Sequence, residues 1–269
     1  MSCQPYSKFK VYNWLRSEQK CLLCDEPADS PLPLCSACES ELPWLAASCR
    51  ICALPLGSEG LICGDCVRTT PSFNRVEAPW RYAFPIDSLV TRFKHQARWP
   101  YGLLLGQLLS DHLRHAFTEG LPRPDLLLPV PLGRKRERQR GFNQAALLAR
   151  WLGKSLTLPS EERWLLRPRE TDAQQRLDAR ARRSNLRQAF SLAPHANVRD
   201  RHLALVDDVL TTGATCEALA RLLRRNGAAR VDVYCLARTP KPGLPTGCAP
   251  TAAQPANAYT PSPFRPTAI

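Results

Sequence analysis

The sequence predicts an α/β fold with a parallel sheet flanked by helices, preceded by a small zinc-binding domain. Two observations predict this architecture. Short apolar runs alternate with helical patterns from Arg75 to Leu236, and such alternation is typical of parallel sheets that are covered on both faces. Eight of the 12 cysteines fall within residues 21–66, in C-x-x-C pairs that are typical of metal sites.

The chain divides into four predicted segments. They are an N-terminal arm or helix at 1–20, a double zinc ribbon at 21–70, the sheet domain at 71–239 and a disordered tail at 240–269. The tail is predicted from its Pro, Ala and Thr content and its lack of periodicity.

Hydrophobic periodicity predicts the elements of the sheet domain. In chain order they are a strand at Arg75–Phe84, a helix at Ile86–Arg98, a helix around Leu103–Leu113, a strand at Asp125–Val130, a basic loop, a helix at Phe142–Leu152, a strand at Leu203–Val206, a helix at Thr215–Arg225 and a strand at Val231–Leu236.

The chain is basic, with a net charge of +13 from 37 basic and 24 acidic residues. Eight cysteine thiolates with two zinc ions would add −8 and +4, which leaves about +9. A basic surface favours polyanions such as nucleic acids or phosphorylated small molecules. The alternative is that the charge serves solubility alone.

The sequence contains no apolar run near the length of a membrane span. The first 20 residues mix charged side chains with scattered apolar ones, unlike a signal peptide. We therefore expect a cytoplasmic protein with no transmembrane segment.

Four C-x-x-C pairs follow one another with ten residues between each pair and the next. They are Cys21/Cys24, Cys35/Cys38, Cys49/Cys52 and Cys63/Cys66. The last two pairs repeat the first two at an offset of 28 residues, which indicates an internal duplication. Two such turns complete a tetrahedral zinc site. Because sulfur fills all four positions, we expect two zinc ions with a structural role.

The segments between the pairs indicate which pairs share a metal. Residues 25–34 and 53–62 are rich in turn formers, whereas Glu39–Ser48 is predicted to be helical. That alternation favours sequential sites, the first in 21–38 and the second in 49–66, and a crossed arrangement stays open. A disulfide framework is disfavoured because nothing suggests secretion. Thioredoxin-like chemistry is disfavoured because it uses a single pair before a helix.

The most informative stretch is Leu203–Thr215, which reads LALVDDVLTTGAT. A buried strand is expected to end in Asp207 and Asp208, and a loop of small residues then opens a helix. Adjacent carboxylates can accept hydrogen bonds from vicinal hydroxyls, and a helix N-terminus favours a phosphate. Gly213 allows the backbone to approach that phosphate closely. The pattern predicts a sugar-phosphate site at the carboxyl end of a parallel strand.

This stretch resembles the thirteen-residue motif with which type I phosphoribosyltransferases bind 5-phosphoribosyl-1-pyrophosphate (PRPP). The resemblance implies the type I phosphoribosyltransferase fold, with Asp207 and Asp208 as the catalytic carboxylates that hold the ribose hydroxyls, and with magnesium mainly on the pyrophosphate. It implies a cradle for the 5-phosphate made of Thr211, Thr212, Gly213, Ala214 and Thr215. The same apolar strand with two acids resembles the acidic motif of P-loop ATPases, but the G-x-x-x-x-G-K-[ST] loop that they need is missing from this sequence.

Four further patterns lie in order between the cysteine pairs and the acidic motif. They are PVPL at 129–132, RGFNQA at 140–145, QxxL at 174–177 and RxxNLxxAF at 182–190. Together with the cysteine pairs and the acidic motif, they resemble the ComF family of competence-related proteins. The resemblance covers roughly residues 20–240 and leaves out the tail.

The resemblance implies further PRPP contacts. In type I enzymes the loop after the first core strand contacts pyrophosphate. Residues 131–134 occupy that place, with Pro131 and Leu132 as the candidate contacts. A mobile loop that closes over the reacting centre corresponds to Gln174–Arg187. Guanidinium groups fork onto phosphates, so the basic segments supply candidate contacts. These candidates are Arg140, Arg182 and Asn185.

ComF relatives are tied to DNA uptake, so the resemblance implies handling of single-stranded DNA in the cytosol, or use of DNA as a nutrient. The implied partner is the DNA-uptake or helicase machinery at the inner face of the membrane. Candidate stacking residues are Trp44, Phe142 and Trp151. Two alternatives stay open: an active phosphoribosyltransferase that uses a nitrogen acceptor in nucleotide metabolism, or a sensor for which PRPP is an effector.

Overall fold

The computed structural model describes residues 19–168 and 189–241. Nearly all of the expected N-terminal arm lies outside these described residues. The same holds for Gln174–Arg187, with the expected contacts Arg182 and Asn185, and for the expected tail from residue 242 onward.

Seven strands and seven helices follow one another in the described part of the chain. The strands are β1 (Arg75–Glu77), β2 (Trp80–Arg81), β3 (Leu126–Pro129), β4 (Leu165–Leu166), β5 (Ser191–Leu192), β6 (His202–Leu210) and β7 (Arg230–Arg238). The helices are α1 (Ser36–Ser40), α2 (Gly64–Arg68), α3 (Ile86–Gln96), α4 (Trp99–Thr118), α5 (Arg134–Arg140), α6 (Gln144–Leu156) and α7 (Ala214–Arg225). No helix among these described residues has the length and apolar composition needed to cross a membrane.

Five strands form one sheet in the order β1-β7-β6-β3, with β2 also paired to β7. All of its pairs are parallel, which confirms the predicted parallel sheet. β6 and β7 are buried over most of their length because both of their faces are covered. The carboxyl ends of β3, β6 and β7 meet at one end of the sheet, where ligands bind in such folds.

Helices cover the sheet on both faces. α3, α4 and α6 pack on the face that carries Leu127, Val206 and Tyr234. α7 packs on the opposite face, against Leu205 and Val233. Because side chains alternate along a strand, the sheet separates two hydrophobic cores. The cysteines of the second zinc site belong to the core under α7, so the second ribbon shares its core with the sheet.

The single strand predicted over Arg75–Phe84 is wrong, because this segment holds two short strands. β1 and β2 both pair with β7, and Ala78 and Pro79 separate them. Proline has no N–H to donate to a ladder. Its carbonyl instead accepts a hydrogen bond from the N–H of Leu45 at 2.8 Å, which ties the zinc domain to this edge of the sheet.

The helix predicted over Glu39–Ser48 is also wrong. Helix α1 begins earlier, and the carboxylate of Asp29 accepts hydrogen bonds from the N–H and the hydroxyl of Ser36 at 2.8 and 2.6 Å. Pro43 cannot donate a backbone hydrogen bond inside a helix. The chain around it is instead hydrogen-bonded to residues 79–81.

The basic loop predicted after β3 contains helix α5. Its Arg, Lys, Glu and Gln residues are good helix formers. Gly141 ends the helix in a left-handed conformation with a φ of 79°, which glycine adopts without strain. Residues 134–139 are all exposed, so the helix presents a row of cations to solvent.

Candidate functional site

The phosphate loop, which we define as Thr211–Gly213, connects β6 to α7. Gly213 has a φ of 75°, a left-handed conformation that residues with a Cβ adopt at a cost. The hydroxyl oxygen of Thr212 accepts a hydrogen bond from the N–H of Ala214 at 3.4 Å, and Thr215 lies in the first turn of α7. Thr211 and Thr212 are exposed. Their hydroxyls and the positive end of a 12-residue helix favour an anion here.

The two acids lie inside β6, whereas the sequence predicts that the strand ends at them. The strand continues to Leu210 because its last residues pair with the end of β7. Asp207 is half-buried, and its carboxylate accepts a hydrogen bond from the N–H of Asp208 at 2.8 Å. Asp208 is buried, and its Oδ1 accepts one from the N–H of Val209 at 2.7 Å. The neighbouring carboxylates therefore have different surroundings.

A lysine outside the sequence motifs forms an ion pair with the second of the two acids. The Nζ of Lys94 on α3 lies 2.7 Å from Oδ2 of Asp208, and the two side chains are 20% and 5% exposed. Removing either partner would leave a largely buried charge unpaired. A signal for this contact exists in the sequence: Lys94 follows the buried Val90 by four residues, which places it on the inward stripe of the helix.

The pKa of Asp207 reflects these surroundings. Burial and, after it, the charge of Asp208 raise the pKa of Asp207 to about 7, although Lys94 acts in the opposite direction. Near neutral pH, Asp207 is therefore divided between its neutral and ionised forms. Since the ionised form is the stronger hydrogen-bond acceptor, hydroxyl binding at this carboxylate should improve as the pH rises through 7.

The connection from β3 to α6 carries the remaining described candidates. Pro131 and Leu132 are half-buried and follow β3, whose Pro129 lies beside Val206 of β6. Arg140 ends α5, and within the described residues its buried Nη1 has no hydrogen-bond partner. A buried guanidinium nitrogen in this state offers a donor to a phosphate oxygen.

The eight cysteines form two separate clusters, as the sequential pairing predicts. In each cluster the four Sγ atoms lie within 4.8 Å of one another. The clusters are Cys21, Cys24, Cys35 and Cys38, and Cys49, Cys52, Cys63 and Cys66. The Sγ atoms of Cys24 and Cys35 are 3.7 Å apart, and those of Cys52 and Cys63 are 3.6 Å apart. A zinc tetrahedron with Zn–S bonds of about 2.3 Å has edges of about 3.8 Å, so both clusters fit zinc and the crossed arrangement is excluded.

The backbone of the second site favours a thiolate at Cys49. Its Sγ accepts a hydrogen bond from the N–H of Cys63 at 3.3 Å. Burial acts to raise the pKa of Cys49, but hydrogen bonds from backbone N–H groups outweigh it and lower the pKa to about 7. Zinc binds the thiolate form, so this ligand is prepared for the metal near neutral pH.

The two zinc sites differ in their exposure. All four cysteines of the second site are buried, whereas in the first site Cys24 is exposed and Cys35 and Cys38 are half-buried. A competing ligand reaches exposed sulfur atoms more easily than buried ones. The first site should therefore release its metal more readily.

We predict that a chromogenic chelator removes zinc from the full chain in two phases, the faster one from the first site because Cys24 is exposed. Cys24→Ser should abolish the fast phase and lower the zinc content from two ions to one. Cys216→Ser, at a buried cysteine outside both clusters, is the control and should keep both phases. A single phase, or loss of the slow phase in Cys24→Ser, would contradict this assignment.

Comparison with solved structures finds phosphoribosyltransferases at low similarity. A purine phosphoribosyltransferase from Pyrococcus horikoshii is 19% identical, with a TM-score of 0.31 over 50% of this chain and 70% of that one. An adenine phosphoribosyltransferase from Leishmania tarentolae is 14% identical, with a TM-score of 0.34 over 49% of this chain and 70% of that one. These values carry no argument about function.

Comparison by sequence is decisive about the family. A double zinc ribbon domain model matches residues 13–67, and a phosphoribosyl transferase domain model matches residues 145–247. The chain is 38% identical over 221 residues to the DNA utilization protein YhgH of Escherichia coli K12. The aligned region covers 81% of this chain and 96% of that protein. It is 37% identical over 207 residues to competence protein F of Haemophilus influenzae, and the aligned region covers 76% of this chain and 90% of that protein. The chain therefore belongs to the ComF family, which joins a double zinc ribbon to a phosphoribosyltransferase fold.

Proposed function

We propose that this protein binds PRPP with magnesium at the carboxyl end of β6, and that it handles single-stranded DNA in DNA uptake or DNA utilisation in the cytosol. One observation carries the first part: the phosphate loop lies between Asp207–Asp208 and the N-terminus of α7. The helix end favours a phosphate, and the carboxylates can accept hydrogen bonds from hydroxyls. Those are the two recognition features of a ribose 5-phosphate.

Each group at this end of the sheet has a role in the proposal. Asp207 and Asp208 accept hydrogen bonds from the ribose hydroxyls, and Lys94 holds Asp208 in place. Magnesium, when bound, neutralises charge on the pyrophosphate. The 5-phosphate contacts are Thr211, Thr212, Gly213, Ala214 and Thr215. The pyrophosphate contacts are Pro131, Leu132 and Arg140, with Arg182 and Asn185 from outside the described residues.

Calorimetric titration of the zinc-loaded chain with PRPP and magnesium at pH 6 and pH 8 tests the PRPP site. We predict that affinity rises with pH by up to about tenfold, because a carboxyl group with a pKa of about 7 is about 9% ionised at pH 6 and about 91% ionised at pH 8. Asp207→Asn should remove this increase and leave only the pH dependence of the phosphates of PRPP itself.

In the same titration, Asp208→Asn should weaken binding at both pH values by at least about tenfold, because it removes an acceptor and leaves Lys94 without its partner. Asp200→Asn is the matched control, since Asp200 is exposed and the change alters the net charge equally. No binding by the wild type at millimolar PRPP would overturn the proposal. Equal binding by the wild type and Asp208→Asn would place PRPP at another site.

The charge of the protein supports the DNA part of the proposal. The formal net charge is +13, or about +9 with two zinc ions on eight thiolates, and α5 exposes Arg134, Lys135, Arg136 and Arg138. Nucleic acids bind to such surfaces through their phosphates. Relatives of this chain are named for DNA utilization and competence, and we extend that role to this protein, with DNA-uptake or helicase machinery at the inner face of the membrane as a partner.

An aromatic pair joins the residue two positions after α5 to the first residue of α4. The ring of Phe142 lies 5.0 Å from that of Trp99, and Trp99 is 43% exposed, so bases could stack on it. Trp99 is absent from the candidates taken from the sequence. Of those candidates, Trp151 packs against Phe93 at 5.8 Å. Trp44 packs against Trp80 at 5.6 Å and is 40% exposed, so it stays a candidate for stacking.

We predict that an oligonucleotide of single-stranded DNA binds less tightly as the salt concentration rises. Arg136→Ala with Arg138→Ala should make the negative slope of log K against log salt shallower by about 1.4, because each phosphate contact to a single strand contributes about −0.7. Arg199→Ala with Arg225→Ala removes two exposed arginines elsewhere and should leave the slope unchanged. A slope in the Arg136→Ala, Arg138→Ala variant that equals the wild-type slope would exclude α5 from the DNA surface.

The phosphoribosyl transferase domain model favours a second candidate, transfer of phosphoribose to a nitrogen acceptor in nucleotide metabolism. In that reaction the nitrogen forms a bond to C1 of the ribose as the C1–oxygen bond breaks. Pyrophosphate leaves with the electron pair, and the proton on nitrogen goes to solvent. Pyrophosphate release that requires an added nitrogen base distinguishes transfer from binding of PRPP as an effector.

A further inference from the structure

Arg238 is a buried cation at the end of β7 that contacts both the second zinc ribbon and the phosphate loop. Its side chain is 7% exposed. Nε donates a hydrogen bond to the carbonyl oxygen of Cys52 at 2.9 Å. Nη1 donates to the carbonyl oxygens of Leu210 at 3.1 Å, of Thr211 and of Thr239 at 2.7 Å. One planar fork of donors therefore joins three segments of the chain.

The segment that follows the second ribbon also contacts α7, the helix that begins where the phosphate loop ends. Ser72 follows the second ribbon, and its N–H and hydroxyl donate to the carboxylate of Glu217 at 2.7 and 2.9 Å. Glu217 lies in the first turn of α7, directly after the loop. Arg238 thus holds the residue that enters the loop, and Glu217 holds the helix that leaves it. Both residues are hydrogen-bonded to the same part of the chain: Arg238 to Cys52 in the second ribbon, and Glu217 to Ser72 shortly after it.

The first zinc ribbon lacks these contacts among the described residues. Cys21, Leu34 and Leu42 pack in the core under α3 and α4, on the other face of the sheet. The backbone hydrogen bonds of Cys21 and Leu22 go to Glu26 and Pro33, within the ribbon itself. The two ribbons therefore differ in their connection to the ligand site, although their cysteine spacing is the same.

We propose that Arg238 is a positioning residue that couples the second zinc site to the phosphate loop. Loss of the zinc ion held by Cys49, Cys52, Cys63 and Cys66 then weakens PRPP binding, and bound PRPP slows release of that ion. This proposal rests on the PRPP site proposed above.

The physical reason is that the fold of a zinc ribbon depends on its metal. Without the ion, the turn that presents the carbonyl oxygen of Cys52 would lose its links to the other three cysteines, and the hydrogen bond to the buried guanidinium of Arg238 would weaken. A buried cation that loses hydrogen bonds shifts toward other acceptors, and the carbonyls of Leu210 and Thr211 shift with it. Because coupling between two binding sites is reciprocal, the ligand stabilises the metal as much as the metal stabilises the ligand.

The test measures chelator-driven zinc release from the full chain, with and without saturating PRPP and magnesium. We expect PRPP to slow the phase that comes from the buried second site and to leave the phase from the exposed first site unchanged, which makes the first site an internal control. Arg238→Lys keeps the positive charge but replaces the planar guanidinium group, with its several N–H donors, by a single ammonium group. It should abolish the protection by PRPP and weaken PRPP binding by at least about tenfold, while it still holds two zinc ions.

Glu217→Gln provides a second variant, at the other anchor of the loop, in case Arg238→Lys does not fold. It should reduce the protection of the second zinc ion in the same direction, whereas Arg225→Lys at an exposed position on α7 should not. PRPP binding by the wild type without any slowing of zinc release would overturn this inference and leave the proposed function intact. Protection that persists in both anchor variants would also overturn it, and absence of PRPP binding would overturn both proposals.

Discussion

The parallel pairing of β6 with β7 is the constraint on which the rest of the structure depends. In this register Asp207 lies opposite Cys235 and Leu210 lies opposite Arg238. A slip of one residue would turn every side chain of β6 to the other face of the sheet. It would separate Asp208 from Lys94 and move Arg238 away from the start of the phosphate loop. The two hydrophobic cores, one on each face, fix the register because both faces of β6 are apolar up to the acids.

The two zinc ribbons differ in how they are connected to the candidate PRPP site. The first ribbon packs in the core on the α3 side of the sheet, and among the described residues it makes no hydrogen bond to the phosphate loop. The second ribbon packs in the core under α7 and reaches the phosphate loop through Arg238. Metal binding supplies on the order of 10 kcal/mol of folding free energy to a small zinc domain. A structural zinc ion can therefore stabilise a ligand site that it does not touch.

Much of the fold and of the candidate site could be predicted from the sequence, because the sequence patterns that indicate them lie within short segments. The motif at Leu203–Thr215 and the spacing of the cysteines predict the strand, the loop, the helix and both zinc sites. The sequential zinc pairing is confirmed although the helix expected at Glu39–Ser48 does not form, because the turn-rich segments 25–34 and 53–62 still connect the two pairs of each site. Arg238 could not be predicted, because its partners are carbonyl oxygens as far as 186 residues away, and any residue type supplies a carbonyl. Lys94 is an intermediate case, since its place on a buried stripe is visible but its partner is not.

The central claim is that the loop between β6 and α7 cradles the 5-phosphate of PRPP. Amide hydrogen exchange across residues 209–216, with and without PRPP and magnesium, tests this claim most directly. If the claim is correct, the ligand slows exchange at Gly213, Ala214 and Thr215, whose N–H groups lie at the helix start, and leaves the first zinc ribbon unaffected. Unchanged exchange at these three amides, under conditions in which calorimetry detects bound PRPP, would contradict it.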